Sequence, residues 1–291
     1  MTIATPDPAQ TAVLLVACPD QKGIVASLAR ALSEEGANIL DADQHGDLAS
    51  GTFFQRVRFD LSGVSSGREG LQVAIGEVAS RFSMSWALRY GDARKRVAIF
   101  VSRYDHCLYD LLLRQRSGEL SGEIVQIISN HPDLESVARQ FDVPFAVFPI
   151  TPENKLDQEA AEVALLRERN VDLVVLARYM QVVTGRFVDA FPSRIINIHH
   201  SFLPAFIGGR PYHQAHERGV KLVGATAHYV TTDLDEGPII EQDVTRVSHR
   251  DSVADLVRHG RDLERVVLAR AVRWHLEDRV LPHGRKTVVF A

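Results

Sequence analysis

The pattern of hydrophobic and polar positions divides the chain into two parts. Over residues 11–90, an apolar run precedes hydrophobic residues at helical spacing from Ile24 to Leu32, and Gly36 follows where a helix C-cap is expected. Two strand-like segments, a second amphipathic helix and a last strand complete this part. The order β-α-β-β-α-β predicts a ferredoxin-like domain.

From Val97 onward, apolar runs rich in Val and Ile alternate with helical segments. The strand-like runs lie at 97–102, 123–130, 144–150, 172–177, 194–198 and 223–230. This alternation predicts an α/β fold with a doubly wound, mostly parallel, Rossmann-like sheet. Functional groups in such a sheet gather at the carboxyl ends of the strands. The helix expected at 154–169 has a predicted apolar face of Leu156, Ala160, Val163 and Leu166.

These patterns set the expected domain boundaries. Residues 1–10 are predicted to be a flexible N-terminus and 11–90 the first domain. The charged segment 91–96 reads as a linker, and 97–291 as the second domain, which ends in a long helix and a final strand.

The composition favours a globular protein and argues against nucleic-acid and membrane partners. The chain has 291 residues, of which 45% are hydrophobic, and its net charge is -4, as expected for a globular protein without a nucleic-acid partner. It shows no signal peptide and no apolar stretch of about 18 residues, and Cys18 and Cys107 are far apart. We therefore expect a cytoplasmic protein with no membrane partner. The sequence also lacks GxGxxG and GxxxxGK[ST] motifs, which disfavours dinucleotide and P-loop chemistry.

The strongest chemical signal lies between residues 195 and 243. Asn197 and His199 are two positions apart on a predicted strand, so their side chains leave the same face. His228 lies on the next predicted strand, and Asp233, Asp235 and Glu236 lie in a turn after it. An Asn donor, a His and an ionised Asp suit chemistry on a carbonyl group. The alternative is that these side chains only satisfy loop backbone and cap a turn.

A metal site is a second interpretation of this region, because five histidines fall within it: His199, His200, His213, His216 and His228. However, the HxxH at 213–216 lacks the i, i+4 spacing and the glutamate of HExxH. Adjacent histidines on a strand face opposite ways and do not easily share one ion. We therefore expect no metal, and we expect His200, His213 and His216 to shape the loop between them.

Longer motifs resemble a known family. NIHHSFLPAFIGGRPYHQAHERGVKLVGATAHYV and DLDEGPII are similar to the formyltetrahydrofolate-dependent formyltransferases and hydrolases, and HHSFLPAFIG followed by RPYHQA most resembles the formyltetrahydrofolate deformylases. PDQKGIVA, SRYDHCLYDLL, SNHPDL, FDVPF, LARYMQVVT and GRDLERVVLARAV appear in the expected order. The resemblance covers essentially residues 11–291.

The resemblance implies an enzyme that hydrolyses 10-formyltetrahydrofolate to formate and tetrahydrofolate, supplying formate for purine synthesis and balancing the one-carbon folate pool. The family's catalytic trio falls on Asn197, His199 and Asp235. Asp235 would activate water, and Asn197 and His199 would stabilise the oxyanion. His228 would support the Asp235 loop. The folate is the substrate, and no cofactor is expected.

The resemblance also implies a pterin pocket. Its predicted substrate-binding residues are Arg178, Tyr179, Met180, Val182, Val183, Val230 and Gly237. Backbone groups would read the pterin edge and apolar side chains would form the walls. For Met180, packing in the core is the alternative.

Residues 11–90 resemble an ACT domain, a module that commonly binds amino acids and often pairs with a second copy. The resemblance places effector-binding residues at Asp20, Gly23, Asn38 and Ile39, and implies a homodimer or homotetramer. A purely structural dimerisation module is the alternative.

Two other functions stay open at this point. One is a formyltransferase that passes the formyl group to an amine, and the other is a folate- or amino-acid-binding sensor without turnover. Residues 102–110, SRYDHCLYD, contain no Gly-rich turn that could cradle an acceptor's phosphate, which favours water as the acceptor. The sequence does not predict the conformation of the loop at 204–211.

Overall fold

The computed structural model describes residues 7–205 and 211–291. The chain forms two compact units. The first unit comprises the described residues up to Arg94 together with Asp278–Leu281 and Val288–Ala291, and the second comprises those of Lys95–Glu277 with Pro282–Thr287. Most of the predicted flexible N-terminus lies outside the described residues, but Pro8–Gln10 form a 3-10 turn capped by the Asp7 side chain.

The first unit contains a four-stranded antiparallel sheet and two helices. Its elements are β1 (Thr11–Pro19), α1 (Ile24–Glu34), β2 (Asn38–Asp47), β3 (Thr52–Asp60), α2 (Gly67–Phe82) and β4 (Ser85–Tyr90). The strand order β2-β3-β1-β4 confirms the ferredoxin-like prediction.

Both faces of this sheet are covered. Leu14 of β1 belongs to the main core with residues of α1 and α2. Side chains alternate along a strand, so Leu15 points to the opposite face, where it joins Phe54 and Phe290 in a second buried cluster. The sequence places 97–291 in the second domain, whereas the structure groups the chain's last residues with the first unit because Phe290 belongs to this cluster.

The second unit is built on a seven-stranded sheet of order β11-β10-β9-β8-β5-β6-β7. Its strands are β5 (Arg96–Val101), β6 (Glu123–Ser129), β7 (Phe145–Val147), β8 (Leu173–Leu176), β9 (Ile195–His199), β10 (Leu222–Tyr229) and β11 (Ile239–Arg246). The strands β5 to β9 pair in parallel, and β10 and β11 pair antiparallel. This arrangement confirms the doubly wound, mostly parallel sheet.

Helices and a terminal hairpin complete the chain. They are α3 (His106–Ser117), α4 (Glu135–Gln140), α5 (Lys155–Glu168), α6 (Gly185–Ala190), α7 (Pro211–Arg218), α8 (Val253–Leu276), β12 (Val280–His283) and β13 (Lys286–Val289). The sequence pattern did not predict α6, α7 or β12. Within the described residues, no helix combines the length and apolar character needed to cross a membrane.

The prediction for the buried face of α5 was right for Leu166, which is fully buried, and for Val163, which packs against the core, but wrong for Leu156 and Ala160. Leu156 is 55% exposed, whereas Glu159 and Glu162 are buried at 5% and 0%. The carboxylates are buried because they bind the chain segment after β8: Glu159 accepts from the Thr184 backbone N–H at 3.0 Å, and Glu162 accepts from the Tyr179 hydroxyl at 3.2 Å. Hydrogen bonding therefore overrides hydrophobicity on this helix.

Helix α8 also buries a charge. Its N-terminus has a capping box in which Ser252 and Asp255 bind each other's backbone N–H. Its buried stripe includes Leu256 and Val267, but also Gly260 and Glu264. These two positions are needed at the site described next.

Candidate active site

A cavity of about 570 Å³ opens in the second unit, at the carboxyl ends of β8 and β9. Its lining comes from the segment after β8, from β9 and β10, from the loop at 230–235, and from α8. This is the location that the topology of an open α/β sheet predicts for a functional site.

Strand pairing positions the first residues of the site. Asn197 on β9 pairs with His228 on the antiparallel strand β10, and His199 pairs with Thr226. The hydroxyl of Thr226 donates to the Ser201 backbone oxygen at 2.9 Å, so it anchors the chain just beyond β9. The paired strands β9 and β10 thus carry three polar side chains into one cavity, those of Asn197, His199 and His228.

Asp235 reaches the same point from the loop after β10. Its backbone φ of 56° is in the left-handed region, which is uncommon for a residue other than glycine. Its Oδ1 lies 3.2 Å from His199 Nδ1 and 3.8 Å from His228 Nε2. The structure therefore brings together all four residues that the sequence predicted as catalytic or supporting: Asn197, His199, His228 and Asp235.

The contacts of His228 fix its tautomer. Its Nδ1 lies 3.0 Å from the Tyr229 carbonyl oxygen, which only accepts hydrogen bonds, so Nδ1 carries the proton. Burial lowers the pKa of His228, so the ring is neutral and Nε2 is an acceptor. Asn197 Nδ2 donates to this Nε2 at 3.3 Å. His228 thus orients the Asn197 amide with its nitrogen toward the site.

His199 and Asp235 form a hydrogen-bonded pair. The hydrogen bond from His199 lowers the pKa of Asp235, against the opposing effect of burial, so Asp235 is ionised at neutral pH. Since Nδ1 donates to Asp235, only Nε2 of His199 faces other groups, and this buried atom has no hydrogen-bond partner among the described residues. A buried ring nitrogen left unpaired beside a cavity is positioned for a reacting molecule.

Most of the predicted substrate-binding residues line the cavity: Arg178, Tyr179, Met180, Val182, Val183 and Val230. Met180 and Val182 are 52% and 57% exposed, so Met180 is not a core residue and both provide an apolar surface to a ligand. Gly237 is not part of the lining. A Cβ there would lie 1.7 Å from the Tyr229 carbonyl oxygen, so this glycine allows the close approach of two backbone segments.

Helix α5 holds the lining segment from behind. Lys155 Nζ donates to the Val182 carbonyl, Glu159 binds Thr184, and Glu162 binds the Tyr179 hydroxyl. Burial raises the pKa of Glu162 from 4.5 to about 7. The buried carboxylates of α5 therefore fix the shape of the predicted pterin wall.

A second polar cluster in the same cavity was not predicted from the sequence. Glu264 of α8 is 1% exposed, and its Oε2 lies 2.7 Å from His106 Nε2 and 3.5 Å from Arg178 Nε. Its Oε1 accepts from the Tyr212 hydroxyl at 2.9 Å. Burial opposes ionisation, but His106 and Arg178 outweigh it and lower the pKa of Glu264. The available signal was a glutamate within the apolar stripe of a long helix.

The cluster also contains the one group among the described residues whose donor atoms could converge on a metal: His106, Cys107 and Glu264. Two features make this a poor cation site. Burial and the nearby Glu264 raise the pKa of Cys107 well above its usual value, so the thiol is protonated. The carboxylate already binds two donors, and the Arg178 cation lies within 3.5 Å of it.

Three further histidines were expected to shape a loop that lies mostly outside the described residues. His213 and His216 lie on α7, and His213 lines the cavity. His200 also lines the cavity, and burial and the charge of Arg178 lower its pKa to about 4, so it is neutral at physiological pH. Most of the loop predicted at 204–211 lies outside the described residues.

The four predicted effector residues do not come together within one chain. Asp20 and Gly23 follow the end of β1, next to Thr52, which pairs with Pro19. Asn38 and Ile39 pair with the opposite end of β3. At about 3.3 Å per residue, the length of the strand separates the two pairs by roughly 25 Å.

Two family models match the chain. The formyl transferase model matches residues 95–272, and the ACT domain model matches residues 12–72. The two matches fall on the second and first structural units, respectively.

Individual relatives cover almost the whole chain. A formyltetrahydrofolate deformylase of Synechocystis sp. is 59% identical over 97% of this chain and 99% of its own length. A formyltetrahydrofolate deformylase of Bacillus subtilis is 51% identical over 95% of this chain and 93% of its own length.

Some similar solved structures cover almost the whole chain, whereas others cover about two thirds of it. The structure of a formyltetrahydrofolate deformylase from Pseudomonas syringae covers 97% of this chain and 94% of its own, with a TM-score of 0.94 and 48% identity. A glycinamide ribonucleotide transformylase from Symbiobacterium toebii covers 68% of this chain and 95% of its own, with a TM-score of 0.64 and 36% identity.

Proposed function

The chain belongs to the formyltetrahydrofolate deformylase family, and we propose that it hydrolyses 10-formyltetrahydrofolate to formate and tetrahydrofolate in the cavity that holds Asn197, His199 and Asp235. The observation that carries this proposal is the convergence of these side chains on one cavity, where His199 Nε2 has no partner in the part of the chain that the structure describes. The proposed reaction consumes only the folate and water, and no cofactor takes part in it.

The substrate would bind with its pterin against the segment 178–183 and the loop 230–235. The exposed Met180 and Val182 side chains offer apolar contacts, and the anchoring of this segment by α5 keeps its backbone groups in place for the pterin edge. In this orientation, the formyl group would lie beside Asn197 and His199, near the carboxyl end of β9.

In the chemical step, a water oxygen would attack the formyl carbon, and the carbonyl electron pair would move onto the oxygen. Asp235 would accept the proton of the water, because it is ionised and its second oxygen is not used by His199. Asn197, oriented by His228, would donate to the developing oxyanion, and His199 would stabilise it through Nε2. Collapse of the intermediate breaks the C–N bond, N10 takes up the proton that Asp235 received from water, and the formic acid formed loses its proton to solvent and leaves as formate.

Water is favoured over an amine as the acceptor by the segment after β5. Helix α3 begins at His106 without a glycine-rich turn, and His106 is hydrogen-bonded to Glu264. The helix start therefore offers no open cradle to the phosphate of a second substrate.

Replacement of Asp235 by Asn tests the proposal. The purified wild-type protein should release formate from 10-formyltetrahydrofolate without any added amine, and the Asp235→Asn variant should lose about 10²–10⁴-fold in rate while still binding the folate, because only the base is removed. Glu236→Gln is the matched control on the same loop and should keep its activity. Formate release that depends on an amine would instead show a transferase, and full activity of Asp235→Asn would refute the assigned base.

We further propose an amino-acid effector at the ACT domain, and a homodimer or homotetramer. Because Asp20 and Gly23 lie at one end of the sheet and Asn38 and Ile39 at the other, one site that uses all four requires residues from two copies. Glycine or methionine should change the wild-type rate, and Asp20→Ala in the full chain should abolish the response. An equal response of both proteins would remove Asp20 from effector binding.

We place the enzyme in the cytoplasm, where its formate would enter purine synthesis and its activity would balance the folate pool. Support comes from Cys18 and Cys107, which are both free and buried, as is usual in a reducing compartment.

A further inference from the structure

Arg178 is a buried cation whose hydrogen-bonding capacity is largely unused. Its side chain is only 9% exposed, and Nε is buried without a hydrogen-bond partner. Among residues 7–205 and 211–291, no acceptor is hydrogen-bonded to either terminal nitrogen of its guanidinium group. A buried guanidinium with free N–H groups beside a cavity is suited to an anionic ligand.

The neighbouring side chains hold the Arg178 guanidinium in place, but among the described residues none accepts a hydrogen bond from it. Glu264 lies 3.5 Å from Nε, but its two oxygens accept the shorter hydrogen bonds from His106 and Tyr212. The ring of Tyr104 packs against the guanidinium at 4.9 Å. The group is therefore fixed in orientation, and its planar fork stays available.

The charge of this part of the cavity favours an anion. Two guanidinium groups, those of Arg178 and Arg261, lie against the ring of Tyr104 here, and Glu264 is the lining carboxylate in contact with Arg178. The other lining carboxylates, Asp233 and Asp235, lie on the loop after β10. His200 is neutral, and its ring centroid lies 5.2 Å from that of His199. The Arg178 guanidinium and the catalytic trio line the same cavity.

We propose that Arg178 forms a product subsite that takes up formate, a small planar carboxylate, as it leaves the catalytic trio. This inference rests on the proposed hydrolysis. Formate is produced as an anion next to the ionised Asp235, which repels it, and the Arg178 fork is complementary to a carboxylate. Arg178 would thus draw the product away from Asp235 and free that carboxylate for the next water.

Inhibition of the initial rate by added sodium formate tests the subsite. Arg178→Lys keeps the charge but removes the fork, and should weaken formate inhibition at least tenfold. Glu264→Gln removes the neighbouring negative charge, and should strengthen it several-fold. Arg186→Lys, an exposed position outside the cavity, is the matched control and should leave the inhibition constant unchanged.

The decisive result is that the formate inhibition constant changes in opposite directions in Arg178→Lys and Glu264→Gln. A purely structural role would change it in the same direction in both variants. Unchanged inhibition in Arg178→Lys, or equal inhibition by sodium chloride, would overturn the subsite. If the variants fold poorly, thermal unfolding of the wild-type protein decides: formate should raise its Tm and chloride at the same ionic strength should not. Failure of the wild-type protein to release formate would instead refute the proposed function.

Discussion

Two histidine–carboxylate pairs face the same cavity and differ in almost every other respect. His199 binds Asp235, which lies on a loop with an uncommon left-handed backbone, whereas His106 binds Glu264 in the middle of the 24-residue helix α8. Each pair leaves one buried ring nitrogen without a hydrogen-bond partner among the described residues: Nε2 in His199 and Nδ1 in His106.

The difference lies in what each carboxylate can still do. Asp235 is 11% exposed and uses only Oδ1 in its contacts with the histidines. Glu264 is 1% exposed, and both of its oxygens are engaged by His106 and Tyr212. A carboxylate with a free oxygen can accept a proton from water, whereas a fully engaged one stabilises its neighbours. A shared residue pairing does not imply a shared role.

Alanine substitution of each histidine should separate the two pairs most clearly, because one variant should lose activity and the other stability. His199→Ala should lower the rate of formate release by about 10²–10⁴-fold with little change in stability. His106→Ala should cost about 3–5 kcal/mol of unfolding free energy, because the Glu264 charge stays buried with fewer partners. Urea unfolding and initial rates measure both effects.

His259→Ala provides the control for the stability effect. His259 lies 3.9 Å from Asp251 in a pair that is 34% and 27% exposed, so its loss should cost less than about 1 kcal/mol. Equal destabilisation by the two substitutions would show that the Glu264 pair contributes no more than a surface contact.

A third buried acidic group, Glu162, differs from both pairs. Its hydrogen-bond donor is the Tyr179 hydroxyl, and no basic residue in the described part of the chain is bound to it. Its pKa is raised from 4.5 to about 7, so the folded state holds the proton more tightly than the unfolded state. Between pH 4.5 and 7, stability should therefore fall as the pH rises. The total loss is at most about 3 kcal/mol.

Glu162→Gln should remove this pH dependence, since the amide resembles the protonated acid. Urea unfolding at pH 5 and pH 8 should show the variant gaining stability relative to the wild type at the higher pH. Glu168→Gln, an exposed position on the same helix, should leave the pH dependence intact. If Glu162→Gln followed the wild-type profile, burial would not control this carboxyl group.

The smallest expected effects concern two of the glycines inside helices, Gly260 and Gly76. A Cβ on Gly260 would lie 1.9 Å from the Tyr212 hydroxyl oxygen, whereas one on Gly76 of α2 would meet its nearest atom at 4.0 Å. Gly260→Ala should therefore lose about 1–3 kcal/mol through displacement of Tyr212 from Glu264. Gly76→Ala should gain up to about 1 kcal/mol from helix propensity. Thermal melts should show shifts of opposite sign.

Periodicity predicted most of the fold because it reports which positions face an apolar core. The strands β5, β6 and β8, for example, lie within one or two residues of the predicted runs at 97–102, 123–130 and 172–177. The same reasoning was only partly right on α5, where Glu159 and Glu162 share the buried face with Leu166. Periodicity cannot distinguish a buried carboxylate from a solvated one, since the distinction depends on a donor supplied by another element.

The site was predictable to the extent that its residues are close in sequence. Asn197 and His199 share a strand face, and the family resemblance supplied Asp235 and His228. The Glu264 cluster was not predictable from spacing, because Glu264 and its partner His106 are 158 residues apart. Likewise, no local pattern placed Asn38 at the opposite end of the sheet from Asp20, because strand pairing alone determines that distance.

The burial of Phe290 beside Leu15 and Phe54 has a consequence for biosynthesis. The strands that carry Leu15 and Phe54 leave the ribosome early, yet the residues that cover this sheet face follow the whole Lys95–Glu277 segment in the chain. The first unit therefore begins to fold before the second unit but is completed only after that segment has been made, with an apolar surface open to chaperones or to aggregation in the interval. Phe290→Ala would leave part of that surface uncovered in the folded protein.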